Sequence, residues 1–273
     1  GMLARSRYFQ FKSVIGFAQE LPMLPSGRRP RISQGLPLLP TGQSAGLGSE
    51  LWPSAIMLCR WLKDHAESAL QGSTVIELGT GTGAVGIYVA ALGAREVLLS
   101  DGGSEALLQL AEQNAERNVR EGIIPATVNL SVRRYLWGSE APMPSSANGW
   151  DWVIGSDLTY RRNAHGALAD SLASLLFNCQ RRSNLQVPHV ILAHQNRGLM
   201  TSVRRCGQIT DEQLEHFSIA AKGRDLEVDI IQRASLEDGP HKHDISLLEV
   251  KPCTNRTGTR TASLHAHGTV SLP

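Results

Sequence analysis

Glu77, a set of glycines, Asp101, Trp137 and the pair Asp157 and Tyr160 are the residues of this sequence whose types and spacing could do chemistry together. "VIELGTGTGAVG" sets Glu77 ahead of Gly79, Gly81, Gly83 and Gly86, between two apolar stretches. A turn so poor in side chains lets backbone N–H groups approach a ligand closely. Asp101 closes "EVLLSD" about 20 residues further on, where dinucleotide-binding folds place a ribose acid. A carboxylate offers several acceptor sites and no donor, which suits the two hydroxyls of an adenosine ribose. Capping the next helix is its ordinary alternative, although Ser104 stands where that cap belongs. Trp137, in "YLWGS", could wall an adenine or simply fill a core. Asp157 and Tyr160, in "DWVIGSDLTY", set a carboxylate at a strand tip with an aromatic three residues on, or could be a helix cap with a packing aromatic.

These residues need elements that bring them to one place. Apolar runs at 74–78, 96–100, 127–132, 152–155 and 190–193 read as strands. Helical spacing fills the gaps at 84–92, 105–120 and 164–178, and a first helix follows Pro53. Strands apolar on both faces and alternating with helices predict a parallel sheet covered on each side. A helix at 211–222 then precedes "LEVDIIQRA" and "DISLLEVKP", two strands with no helix between them. Such a pair must be antiparallel, so the expected fold is α/β, a Rossmann-like mixed sheet of seven strands ending in an antiparallel hairpin. In that order the first and fourth strands are neighbours, which brings Asp157 close to the glycine turn. "HKH" at His241–His243 is expected in the hairpin loop as a solvated turn, and His194 as a structural residue.

Residues 1–48 read as an N-terminal arm, Pro-, Gly- and Ser-rich after Leu21, 49–252 as the domain, and 253–273 as a polar, aperiodic and disordered tail. Gly1 before Met2 reads as an added residue. The segment from Leu3 to Gln19 is basic, a pattern compatible with an organellar presequence, and lacks a secretory apolar core. A net charge of +2 over 273 residues is too mild to point to nucleic acid or an anionic membrane. No apolar run approaches the roughly 20 residues of a membrane span. Four scattered cysteines without a C-x-x-C pair predict neither a zinc site nor a disulfide framework. A reduced, cytoplasmic protein with no metal is the expectation.

Two fingerprints overlap in the glycine turn, and spacing alone does not separate them. Gly81-x-Gly83-x-x-Gly86 satisfies the dinucleotide pattern, whereas Glu77-x-Gly79-x-Gly81-x-Gly83 resembles the turn of nucleoside-dependent methyltransferases. Trp137 and Asp157-x-x-Tyr160 tip the balance. With "GSELWPSAIMLCRWL", "LLSDGGSEALLQLAEQN", "YLWGS", "DWVIGSDLTY" and "ILAHQNR" in this order, the chain resembles the seven-β-strand S-adenosylmethionine-dependent methyltransferases, and among them the protein-lysine methyltransferases called family sixteen. The resemblance runs from Gly48 to about Arg197, and the hairpin extends it to about Pro252. It implies S-adenosylmethionine as cofactor and a lysine-bearing protein as substrate, with the chain a monomer. By position it implies that Trp52 closes over the cofactor, that Glu77, Gly79, Gly81 and Gly83 hold its amino-acid part, and that Asp101 takes the ribose. Trp137 would lie beside the adenine and Ser156 and Asp157 near the methionine end, while Asp157 and Tyr160 would be the catalytic pair that places the acceptor lysine. Gly102 and Gly103 depart from the pattern, because longer side chains are common there. A small-molecule amine or pyridine acceptor, a catalytically silent cofactor-binding module and a nicotinamide-dependent oxidoreductase are the alternatives.

Overall fold

The computed structural model describes residues 20–35, 46–145, 149–180, 187–197, 202–205, 208–238 and 241–253. The strands are β1 (Thr74–Leu78), β2 (Glu96–Asp101), β3 (Asn129–Arg134), β4 (Trp152–Ser156), β5 (His189–Asn196), β6 (Ser202–Arg205), β7 (Gln208–Asp211), β8 (Leu226–Asp238) and β9 (His241–Pro252). The helices are α1 (Pro53–Leu70), α2 (Ala84–Ala91), α3 (Glu105–Arg120), α4 (His165–Gln180) and α5 (Glu212–Lys222). Among the described residues one sheet has seven strands in the order β3-β2-β1-β4-β5-β9-β8. The first five run parallel, and β9 joins β5 antiparallel, with β8 outermost. The connections run one way from β1 to β3 and the other way from β4 to β5. The carboxyl ends of β1 and β4 therefore flank the switch point where open α/β sheets bind ligands.

Alternation along each strand explains why both faces are covered. Val75, Val97, Leu99, Ile154 and Ile191 pack with Ile56, Leu58 and Leu62 of α1 and Ile87 of α2. Their neighbours Ile76, Leu98, Val153 and Leu192 point the other way, against Leu168, Leu172 and Leu176 of α4 and Phe217 of α5. A strand buried on both sides needs an unbroken apolar run, which is what made β1, β2 and β4 legible.

The sequence differs from the structure at the margins, for physical reasons. The third strand lies at Asn129–Arg134, two residues beyond its expected place, because Arg133 and Arg134 pair with Ser100 and Asp101 on an edge strand that needs little apolar character. β5 runs on to Asn196, since Gln195 and Asn196 pair with Ile245 and Asp244. His241–His243 do not form the hairpin loop; they begin β9, paired with Asp238, Glu237 and Leu236. β6 and β7 make a separate two-stranded ribbon that the sequence did not announce. The described part of the N-terminal arm is irregular, as expected, yet it is fastened down. Leu21 and Leu24 are buried in the core, and Asn114 and Asn118 of α3 clasp the backbone of Ser33 and Arg31. The expected disordered tail lies outside the described residues, apart from Cys253. No helix among the described residues is long and apolar enough to cross a membrane.

Candidate active site

A cavity of about 480 Å³ opens at the carboxyl ends of β1, β2 and β4. Its first wall is the turn between β1 and α2. The Gly81 N–H donates to Asp101 Oδ2 at 2.9 Å, and the Gly103 N–H donates to Asp101 Oδ1 at 2.7 Å. Asp101 thus ties the glycine turn to its own loop, and each oxygen keeps acceptor capacity for a further donor. Ser104, not Asp101, caps α3, its Oγ accepting from the Leu107 N–H. Gly81 has φ 53°, and a Cβ there would lie 2.6 Å from the Gly48 carbonyl oxygen, so no other residue fits.

Glu77 lines the same cavity but is almost fully buried. Its Oε2 accepts from the Thr80 hydroxyl at 2.5 Å and the Gly86 N–H at 2.9 Å. Burial is the main influence on its carboxyl, which is pushed up to about 7 against these hydrogen bonds. A buried acid at a cavity wall is suited to receive a cationic amine. Tyr135, Leu136, Trp137 and Leu107 add apolar wall beyond Asp101. A cationic amine, vicinal hydroxyls and a flat ring are the groups these walls match.

The second part of the site starts at Asp157. Its backbone is left-handed, φ 57° and ψ 38°, a conformation that Asp tolerates better than most residues. Its N–H donates to the Ala193 carbonyl at 2.7 Å, so the turn is held at the tip of β4 against β5. Burial pushes the Asp157 carboxyl above the usual carboxylate range, while Arg197 pulls it the other way. Arg197 grips both carboxylate oxygens, with Nη1 2.8 Å from Oδ1 and Nη2 on Oδ2. Its guanidinium carbon also sits 5.1 Å from the Trp52 ring centroid and 5.8 Å from that of Tyr160.

Behind this turn runs a buried polar relay. His194 Nε2 meets Asp211 at 2.6 Å, and Nδ1 meets the Thr159 hydroxyl at 2.6 Å. A carboxylate only accepts, so Nε2 carries the proton toward it. Burial pushes Asp211 up, but the His194 ring and the N–H groups of Leu214 and Gln213 outweigh it and hold the carboxyl below its ordinary value. His165 Nε2 meets the Thr159 carbonyl at 2.8 Å. Thr159, the residue before Tyr160, is therefore held at its hydroxyl and its carbonyl.

The cavity gathers Trp52, Glu77, Gly79, Gly81, Asp101, Trp137, Ser156, Asp157 and Tyr160 on its walls. Gly83 is placed elsewhere: at φ 82° it opens α2, and a Cβ there would face Ile87, Leu99 and Ala111 inside the core. Sequence reasoning missed Arg197, and it weighed His194 without its partners Thr159 and Asp211. An arginine at a strand end gives no signal of the acid it will meet 40 positions away.

The lysine methyltransferase family matches residues 34–202, well over half of the chain. The chain belongs to the lysine methyltransferase family. Among curated relatives of this chain, the "Protein N-lysine methyltransferase METTL21A" of Danio rerio is 33% identical over 130 residues, 48% of this chain and 56% of the relative. The protein of the same name from Xenopus tropicalis is 36% identical over 116 residues, 42% of this chain and 49% of the relative. The "Protein N-terminal and lysine N-methyltransferase efm7" of Emericella nidulans is 28% identical over 136 residues, 47% and 52% of the two chains. The chain spans about half the length of the curated relatives it matches. The family match begins at residue 34, inside the clasped N-terminal segment, and reaches β6.

Proposed function

We propose that this chain transfers a methyl group from S-adenosylmethionine to a lysine side chain of a protein. The observation that carries the reading is one cavity walled both by Glu77 and Asp101 and by Asp157 with Trp52 and Tyr160. The first pair suits the amine and ribose of an adenosyl amino acid. The second offers an anion with aromatic faces, which is how a protein receives a substrate ammonium. Relatives named as protein-lysine methyltransferases support the same acceptor.

When bound beside Glu77, Asp101 and the glycine turn, the cofactor would supply a methyl activated on a sulfonium, whose sulfur would be left as a neutral thioether once an amine lone pair had taken the methyl. The remaining work falls to the chain's residues, and it is positioning. Asp101 and the glycine turn fix one partner, while Asp157, held by β5, fixes the other. Aligning nitrogen and methyl at about 3–3.5 Å is where most of the rate would arise. A lysine amine with an ordinary pKa of about 10.4 must shed a proton before it reacts. Asp157 orients the incoming ammonium, and that proton leaves to water; the Asp157 carboxyl is not assigned as the base.

Calorimetric titration of the full chain with S-adenosylhomocysteine and NAD tests the cofactor, and incubation of lysate with a radiolabelled methyl donor tests the acceptor. The adenosyl compound is expected to bind and NAD to fail, with label recovered as methyl-lysine. Asp101→Asn should weaken S-adenosylhomocysteine by roughly tenfold or more, the ratio that 1.4 kcal/mol represents. Binding of NAD alone, or unchanged affinity in the Asp101 variant, would overturn the assignment.

A further inference from the structure

The contact between Arg197 and the Asp157 turn has a shape of its own. Asp157 is fixed: its side chain is 7% exposed, and its backbone is tied to β5. Arg197, the residue after β5, is 32% exposed along its side chain, so it has a route to solvent that its partner lacks. The guanidinium occupies a three-sided recess with a buried carboxylate on one side and the rings of Trp52 and Tyr160 on the others. A carboxylate flanked by aromatic faces is a general recognition site for organic cations, ammonium as well as guanidinium.

We propose that Arg197 is a displaceable occupant of a cation site built from Asp157, Trp52 and Tyr160, and that by filling this site it determines which acceptors enter. The inference rests on the reading above that a lysine amine is the acceptor. An arriving ammonium replaces the guanidinium charge for charge, so Asp157 keeps a cationic partner as the acceptor enters. A neutral acceptor, such as an alcohol, would have to strand the carboxylate, and an uncompensated buried charge costs several kcal/mol. Arg197 thus excludes neutral nucleophiles and admits a cation on a thin, flexible stem. Arg161 reaches the outer ring of the same recess, 5.2 Å from the centroid of Tyr160, which adds positive charge at the rim and disfavours entry of a cation not strongly held inside. Arg197 acts here as a specificity residue, not as one that touches the reacting atoms.

The test uses the full chain and n-butylammonium as a stand-in for the lysine end, followed by NMR shifts at about pH 8, where the amine stays cationic. Removing an occupant that fills a site roughly ten times out of eleven raises the apparent affinity of a competitor roughly tenfold. Arg197→Ala is therefore expected to bind n-butylammonium roughly tenfold tighter than the unaltered chain. n-Butanol should gain nothing. If Arg197→Ala does not fold, Arg197→Gln keeps hydrogen-bond donors for Asp157 without the charge and should shift the affinity in the same direction. Arg197→Lys should restore the closed behaviour. Adding Asp157→Asn to either neutral variant should abolish the gain.

Equal or weaker n-butylammonium binding in both neutral variants would overturn the proposal, as would an equal gain for n-butanol. A parallel titration with S-adenosylhomocysteine separates this inference from the methyl-transfer reading. If the unaltered chain fails to bind it, the cofactor reading falls while the ammonium result still decides the cation site. If only the Arg197 variants lose it, Arg197 is a cofactor ligand and the proposal falls.

Discussion

At the scale of single residues, the site is built from acids held away from water, and each has a measurable consequence. Glu77 is the clearest. Its folded value of about 7 lies above the ordinary 4.5, and burial is the principal cause. The folded chain therefore keeps a proton that the unfolded chain has already released. The stability this adds is fully present below about pH 4.5 and is lost as pH rises through about 7. At 1.36 kcal/mol per unit the loss is about 3 kcal/mol. Glu77→Gln keeps an oxygen for the Thr80 hydroxyl and the Gly86 N–H but cannot ionise. Urea denaturation across this pH window should show the unaltered chain losing stability relative to the Gln variant. Parallel curves for the two proteins would mean that the carboxyl is already ionised in the fold.

At the scale of elements, the β1–α2 unit shows how tightly the turn is seated. Gly86 lies within the first turn of α2, where alanine would ordinarily stabilise by about 1 kcal/mol. Here a Cβ would come within 2.1 Å of Leu99 Cδ2 and 2.8 Å of Glu77 Oε2. Overpacking of that kind costs about 1–3 kcal/mol, so Gly86→Ala should destabilise the chain in denaturant and disturb Glu77 as well. A gain in stability would show that Leu99 has room to yield. The same unit marks what was legible. β1 and α3 were read to the residue, since each has sharp apolar limits and α3 has a capping serine. β3 was misplaced because an edge strand buries too little to carry an apolar pattern, and β6 and β7 were missed. The site followed the same rule. Glycines and strand-tip acids declare their chemistry by type and spacing. The Asp157–Arg197 pair and the Thr159–His194–Asp211 relay do not, because the first joins the ends of paired strands β4 and β5, and the second runs from the turn after β4 through β5 to Asp211 of the separate ribbon.

At the scale of the whole molecule, the N-terminal segment is part of the fold and not an appendage to it. Asn118 is fully buried and gives both ends of its amide to the clasp: Oδ1 accepts from the Arg31 N–H at 2.9 Å, and Nδ2 donates to the Arg31 carbonyl at 2.8 Å. Asn114 repeats the arrangement one helical turn earlier, with Ser33. It also donates to the Thr82 carbonyl at 2.9 Å, inside the glycine turn. The clasp therefore joins the segment, α3 and the floor of the cavity. A buried amide that loses its partner costs about 1–3 kcal/mol, so Asn118→Ala should lower global stability by that amount and release the segment around Arg31 to limited proteolysis. Asn114→Ala should do the same and in addition weaken S-adenosylhomocysteine binding, because it frees Thr82. The contrast between the two variants is the informative result: equal effects on binding would mean that the Asn114–Thr82 bond has no influence of its own on the site. A loss confined to Asn114→Ala would mean that residues far outside the cavity set the shape of the glycine turn through a single side chain.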